Sequence, residues 1–272
     1  MTGSEQAIRR AIRVSGAVRV AVAAGVVGEP RAVLIEADSE FHAASTMKLA
    51  VLVELYRRGS ADDISLDAPV IVRNAFRSLA DGSTFALDPA DDSETALYAR
   101  EGSAVPAREL ARRMIVRSSN LATNLLVDRL GAARIDATVR SLGVEGVRVL
   151  RGVEDGRAFE AGLSNTVTAS GLAALLERIG DGSAAPPDAC AAMLEVLAAQ
   201  AFNEGIPAGL PPGTRVAHKT GSITRLYLDA GLVYPEGRRP YILVVLTEGL
   251  DEATAAPAVV AAIASEVDQA FA

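Results

Sequence analysis

Four residues, Ser45-Thr46-Met47-Lys48, open the apolar run Leu49-Ala50-Val51-Leu52-Val53-Glu54-Leu55-Tyr56. Wound as a helix, residues three apart share a face, so the Ser45 hydroxyl and the Lys48 amine stand about one turn apart. That is a nucleophile beside a possible base. The unpaired N–H groups and positive dipole end of a first turn favour an alkoxide and a neutral neighbouring amine. The same residues also fit an N-capping serine followed by a surface lysine. Composition bears on the choice, because Lys occurs only at Lys48 and Lys219 while every other basic residue of the 27 is Arg. Lys differs from Arg chiefly in giving up its proton when desolvated, which makes both lysines candidates for chemistry.

Two further groups of residues complement the first. Ser118-Ser119-Asn120 stands between two apolar helical stretches, either as an N-cap with spare hydroxyls or as a proton relay beside an amide that positions substrate and lysine. Lys219-Thr220-Gly221 enters a strand region. There the glycine would let a ligand approach the backbone, the threonine would bind a carboxylate, and the lysine would supply charge. Arg225, just beyond Ser222, is a second carboxylate anchor or a solvated strand residue. His42 precedes Ser45 with no carboxylate partner evident, which suggests a structural or surface role.

Elements at both ends of the chain must hold these groups. A helix over 5–14, strands over 19–27 and 31–37, further strands over 216–222, 230–234 and 241–246, and a closing helix over 257–271 bracket a middle of helices. The helices fall over 107–116, 121–130, 134–142, 167–180 and 188–201. The polar stretch 59–102 reads as a lid or rim with a solvated acidic loop. The pattern predicts an α/β (α+β) fold whose antiparallel sheet is assembled from both chain ends. Terminal helices flank it, a mostly helical lobe is inserted, and a cleft lies between. Residues 1–272 form one domain in this reading, with a sheet lobe near 1–44 and 207–272 and a helical lobe near 45–206.

At 272 residues and 50% hydrophobic content the chain can bury a large core. A net charge of -7 with scattered Arg argues against nucleic acid and for a small-molecule substrate. Two His and the single Cys190 do not build a zinc site, and no cofactor is implied. There is no apolar run long enough for a membrane segment. Met1-Thr2-Gly3-Ser4-Glu5-Gln6 lacks the charged-then-apolar shape of a secretion signal, which points to the cytoplasm. A chain already relieved of a leader would point to the periplasm or the exterior.

Ser45-x-x-Lys48, Ser118-x-Asn120 and Lys219-Thr220-Gly221, in that order, resemble the signature of class A β-lactamases and penicillin-binding proteins. The resemblance runs from about Phe41 to Leu246. It implies that Ser45 attacks an acyl carbon with Lys48 as base, that Ser118 passes a proton to the departing nitrogen, and that Asn120 holds the substrate side chain. Lys219 and Thr220 would bind its carboxylate, with the backbone N–H groups of Ser45 and Ser222 as oxyanion hole.

Two departures stand out. Ser119 occupies a position where class A enzymes usually carry Asp, which would loosen the loop holding Ser118 and Asn120. The Glu-x-x-Leu-Asn stretch that holds the deacylating water is replaced by Arg151-Gly152-Val153-Glu154-Asp155. In family register the glutamate position falls on Val153, so a shifted loop would have to present Glu154 or Asp155 as base. Asn165 replaces the Asp that would pair with Arg151. The resemblance thus implies a serine hydrolase acting on β-lactams, with D-alanyl-D-alanine carboxypeptidase-like or esterase-like activity as the alternative. A non-catalytic β-lactam or peptide-binding module is the reading of another class, and a Ser-His-Asp hydrolase using His218 lacks a nucleophile elbow.

Overall fold

The computed structural model describes residues 3–61 and 63–272. Met1 and Thr2, part of the N-terminal stretch above, and Asp62 of the polar connection lie outside them. Helix α1 (Gly3–Ser15) leads into β1 (Arg19–Val26) and the short β2 (Val33–Ile35). The chain returns at the other end as β10 (Arg215–Ile223), β11 (Leu226–Tyr234), β12 (Tyr241–Glu248) and α9 (Ala255–Ala270). These strands form one antiparallel sheet in the order β10-β11-β12-β1-β2. Strands β1, β11 and β12 are almost continuously apolar because both faces are covered and successive side chains alternate between them, whereas β10 carries the polar His218, Lys219, Thr220 and Ser222. Leu228, Ala230 and Leu232 face the inserted helices, while Tyr227 and Val233 face the layer of α1 and α9.

Between the sheet's two halves run β3 (Phe41–His42), a 3-10 turn (Ala44–Met47) and α2 (Lys48–Ser60). After the small strands β4 (Pro69–Ile71), β5 (Phe76–Arg77), β6 (Thr84–Phe85) and β7 (Ala104–Pro106) come α3 (Ala107–Val116), α4 (Asn120–Leu130) and α5 (Ala132–Ser141). Then follow β8 (Val147–Arg148), α6 (Gly156–Glu160), β9 (Thr166–Val167), α7 (Ala169–Gly180) and α8 (Pro187–Ala198). Helix α2 is apolar all round from Leu49 to Val53, and these residues are fully buried, since α3, α4, α5, α7 and α8 all pack against it.

Several expectations change. Thr166 and Val167 form β9 against β3 rather than starting a helix; α7 begins two residues later, with Thr168 Oγ1 accepting the Gly171 N–H at 2.9 Å. The 59–102 connection is not a structureless lid, because β4 pairs with β7 and β5 with β6. Its acidic end is not simply solvated either: Asp92 and Glu94 are buried. Among the described residues no helix is long and apolar enough to cross a membrane, and no cluster of His, Cys, Asp and Glu could hold a metal ion.

Candidate active site

The turn before α2 and the end strand of the sheet meet back to back. Ser45 lies in the 3-10 turn rather than in α2 proper, and the α-helix starts at Lys48. Opposite it, a Cβ added to Gly221 would stand 2.9 Å from the Ser45 nitrogen and 3.1 Å from that of Thr46. Only glycine lets the two backbones approach this closely. The approach gathers Ser45, Thr220 and Ser222 into the wall of a cleft of about 910 Å³, together with Ser118, Asn120 and Glu154.

Lys48 and Lys219 are both completely buried, and they converge on Ser118. Lys48 Nζ donates to the Ser118 carbonyl at 2.7 Å, to its Oγ at 3.2 Å and to Asn120 Oδ1 at 2.9 Å. Lys219 Nζ donates to the same Oγ at 3.1 Å and to the Thr220 carbonyl at 2.8 Å. Among the described residues, neither amine touches a carboxylate. Burial therefore brings Lys48 down to about 7, against a smaller upward pull from Asp92 and Glu154. Burial and then the charge of Lys48 hold Lys219 well below the ordinary lysine value. At neutral pH the site thus contains an amine that can accept a proton. With both lysines directed at its oxygen, the Ser118 hydroxyl is left to donate into the cleft.

Ser118 takes a left-handed φ of 54°, so the loop needs firm support. Ser119 provides part of it as the N-cap of α4, its Oγ accepting the Ala122 N–H at 3.2 Å. Asp92, which sequence reading left in the solvated loop, provides more: its Oδ2 accepts the N–H groups of Asn120 and Leu121, each at 2.9 Å, and the Tyr98 hydroxyl at 3.0 Å. A carboxylate at the N-terminus of α4 is thus supplied from residue 92 rather than 119, where it suits the helix dipole. The loop expected to be loose is bonded from both sides.

The 151–165 segment places the two rival carboxylates differently. Asn124 bridges Val153, accepting its N–H at 2.7 Å and donating to its carbonyl at 2.9 Å, while the Val153 side chain packs on the core. The next residue, at φ 58°, turns the Glu154 carboxylate into the cleft, where Asn120 Nδ2 donates to it at 3.4 Å. Burial is the main reason that its pKa is raised. Asp155 is otherwise engaged: it accepts from Ser78 Oγ and the Leu79 N–H, both at 2.8 Å, and caps α6 through the Ala158 N–H at 3.1 Å. Asn165 accepts the Leu150 and Arg151 N–H groups at 2.7 and 3.1 Å, and Arg151 turns to the carbonyls of Leu163 and Gly152 instead of a carboxylate.

Two other residues fall away from the cleft. Arg225 sits in the β10–β11 turn with φ 60°; its N–H donates to Glu252 and its guanidinium to the Gly249 carbonyl, beside a smaller cavity. It does not line the cleft as a carboxylate anchor would. His218 does have an aspartate, with Nδ1 2.8 Å from Asp229 Oδ1 and Nε2 3.2 Å from Asn203 Oδ1. Adjacent strand residues point to opposite faces, however, so this pair lies across the sheet from Lys219 and does not line the cleft with Ser45. His42, expected to be structural or on the surface, stands half-buried in the cleft wall.

Comparison with known proteins identifies a family and a fold. The sequence model described as the β-lactamase enzyme family matches residues 4–271. A β-lactamase of Streptomyces albus G is 30% identical over 244 residues, spanning 86% of this chain and 74% of that protein. The structure of PBP-A has a TM-score of 0.86 at 25% identity, covering 100% of this chain and 96% of that one. A β-lactamase from Sphaerobacter thermophilus gives 0.83 at 26% identity, covering 99% and 97%. The chain belongs to the β-lactamase enzyme family and is a β-lactamase-like serine hydrolase.

Proposed function

We propose that the protein opens β-lactam amides through an acyl-enzyme on Ser45 and hydrolyses that ester with Glu154 as base. The observation that carries the first half is the buried Lys48 amine, poised near 7, beside Ser118 and Asn120 in the Ser45 cleft. Ser45 Oγ attacks the lactam carbonyl carbon as Lys48 takes the hydroxyl proton. The C–N bond then breaks, and the nitrogen takes a proton through Ser118, which lies within reach of both lysines. The N–H groups of Ser45 and Ser222 receive the oxyanion, donors whose benefit arises in the transition state. A substrate carboxylate at Lys219 and Thr220 favours the charged form of Lys219, whose charge disfavours a proton on Lys48. Binding thereby keeps Lys48 neutral for its task.

For the second half, water gives a proton to the Glu154 carboxylate as its oxygen attacks the ester carbon; the acyl C–Oγ bond then breaks, and Glu154 returns that proton to Ser45 Oγ, which releases the acid and restores both residues. A raised pKa makes Glu154 the stronger base. A second reading, in which the ester persists as in a penicillin-binding protein, is favoured by one observation: Val153 rather than Glu154 occupies the family's glutamate position. The PBP-A comparison fits it, since a leucine-to-glutamate mutant of that protein was solved as an acyl-enzyme complex with penicillin G.

Intact-mass spectrometry after mixing with a penicillin and a cephalosporin, from seconds to hours, decides between them. An adduct that appears and decays in wild type, persists in Glu154→Gln and is missing from Ser45→Ala is the expected result. A wild-type adduct that never decays selects the second reading. Neither adduct nor turnover, with binding retained in Ser45→Ala, leaves a non-catalytic binding module.

A further inference from the structure

The residue three before the nucleophile takes no part in the reaction above. His42 pairs with Thr166 through β3 and β9, and its ring meets Phe159 edge-on with centroids 6.0 Å apart. Its Nδ1 accepts the backbone N–H of Ala44 at 3.1 Å. Ala44 has φ 43° without being glycine, a strained conformation that persists only where neighbours impose it. On one side stands Gly221, where an added Cβ would lie 3.2 Å from the Ala44 Cβ. On the other stands the His42 ring. The peptide that follows Ala44 carries the Ser45 N–H, so whatever fixes Ala44 also aims that donor.

We propose that His42 is a positioning residue that aims the Ser45 N–H, and that protonation of its ring releases Ala44 and weakens the oxyanion hole at acidic pH. Nδ1 accepts only while it carries no proton; the imidazolium donates from both nitrogens and would meet the Ala44 N–H with another N–H. The effect on rate rests on the acyl-enzyme reading, whereas the hydrogen bond does not.

The charged surroundings are mixed. From the 151–155 segment come Arg151, Glu154 and the fully engaged Asp155. From the sheet rim come Arg19, Arg225 and Glu248, of which Arg19 and Glu248 are paired at 3.0 Å. On the strand's own side, Glu40 accepts the Thr166 hydroxyl at 3.0 Å. Asp91, Glu204 and Glu252 share the cleft farther along. Burial, and after it the Arg151 charge, keeps the ring below the ordinary histidine value, so the accepting form holds through neutral pH.

The test combines amide NMR with acylation rates. In wild type, the Ala44 and Ser45 amide resonances should move with the His42 ring titration, at a shared midpoint on the acid side of an ordinary histidine. Amides indifferent to that titration overturn the proposal. His42→Leu, which has no acceptor, should acylate at least about tenfold more slowly at pH 8, given the hundredfold or more usual for a whole donor. Benzylpenicillin binding to the same change in a Ser45→Ala background should be unaltered. His42→Asn should stay within about threefold of wild type, because an Asn oxygen accepts the N–H two residues on. It should also lose the His42 limb of the pH profile while keeping that of Lys48.

Equal acylation by wild type and His42→Leu overturns the proposal. Should the leucine variant not fold, the asparagine profile and the wild-type titration decide. Coupled amides without any adduct on wild type would overturn the acyl-enzyme reading and leave the positioning role standing.

Discussion

His218 and Lys219 are neighbours on β10, are equally buried, and face opposite sides of the sheet. Their partners differ. His218 is bonded at both ring nitrogens, to Asp229 and Asn203, and Asp229 in turn accepts the Ile206 N–H at 2.9 Å. Lys219 has a hydroxyl and a carbonyl, and burial, then the nearby charge of Lys48, lower its hold on its proton. A buried group with a complete set of partners is held in place by its surroundings and is silent chemically. One without a counter-ion is costly to keep and ready to exchange a proton or bind an anion. Proton exchange is expected at Lys219, and structural support at the His218–Asp229 pair.

The contrast breaks most readily at Lys48. Lys48→Met should lower acylation by about 10²–10⁴-fold with no loss of stability, since a buried amine without a counter-ion is removed, as measured by stopped-flow and urea denaturation. A stability loss with activity intact would reverse that assignment.

Asp229→Asn should do the opposite. It is expected to cost about 1–3 kcal/mol in unfolding free energy, because one of the buried groups bonded to Asp229 is left without an acceptor, with the folded fraction acylating at close to the wild-type rate. A defect confined to acylation would bring His218 back into the chemistry.

Glu154→Gln should slow deacylation by about 10²-fold or more and leave acylation within a few-fold, giving a trapped adduct by mass spectrometry. Equal effects on both steps would make Glu154 a partner of Asn120 rather than a base.

The smallest effect concerns pH. With Lys48 brought down to about 7, the acylation rate should rise as pH climbs through that value and the amine loses its proton. The stability sign follows: between about 7 and the ordinary lysine value the unfolded chain binds the proton and the folded one does not. Stability attributable to Lys48 therefore grows with pH across that window. Asp92→Asn removes a charge that raises Lys48. The acid limb should move to lower pH, with a loss of about 1 kcal/mol from the α4 terminus. An unmoved limb would mean that Asp92 acts on the loop alone.

The sequence by itself determined the elements and the reactive types. Apolar periodicity marks α2, α3 and α4, and alternation with turns marks the strands from both chain ends. The scarcity of Lys singles out Lys48 and Lys219, and their company in Ser118, Asn120 and Gly221 supplies the site's vocabulary. Each of these signals is local, resting on spacing or on residue type. Tertiary structure decided what depends on approach between distant segments. Asp92 reaches α4 from a stretch that reads as solvent-facing, because a carboxylate's fate depends on which helix end it meets. Asn124 fixes Val153, and a left-handed backbone turns Glu154 rather than Asp155 toward Asn120. Arg225 leaves the cleft for the Gly249 carbonyl. Burial, too, is a property of the assembled fold, and burial of Lys48 without a counter-ion is what brings its amine into the range where it can serve as a base.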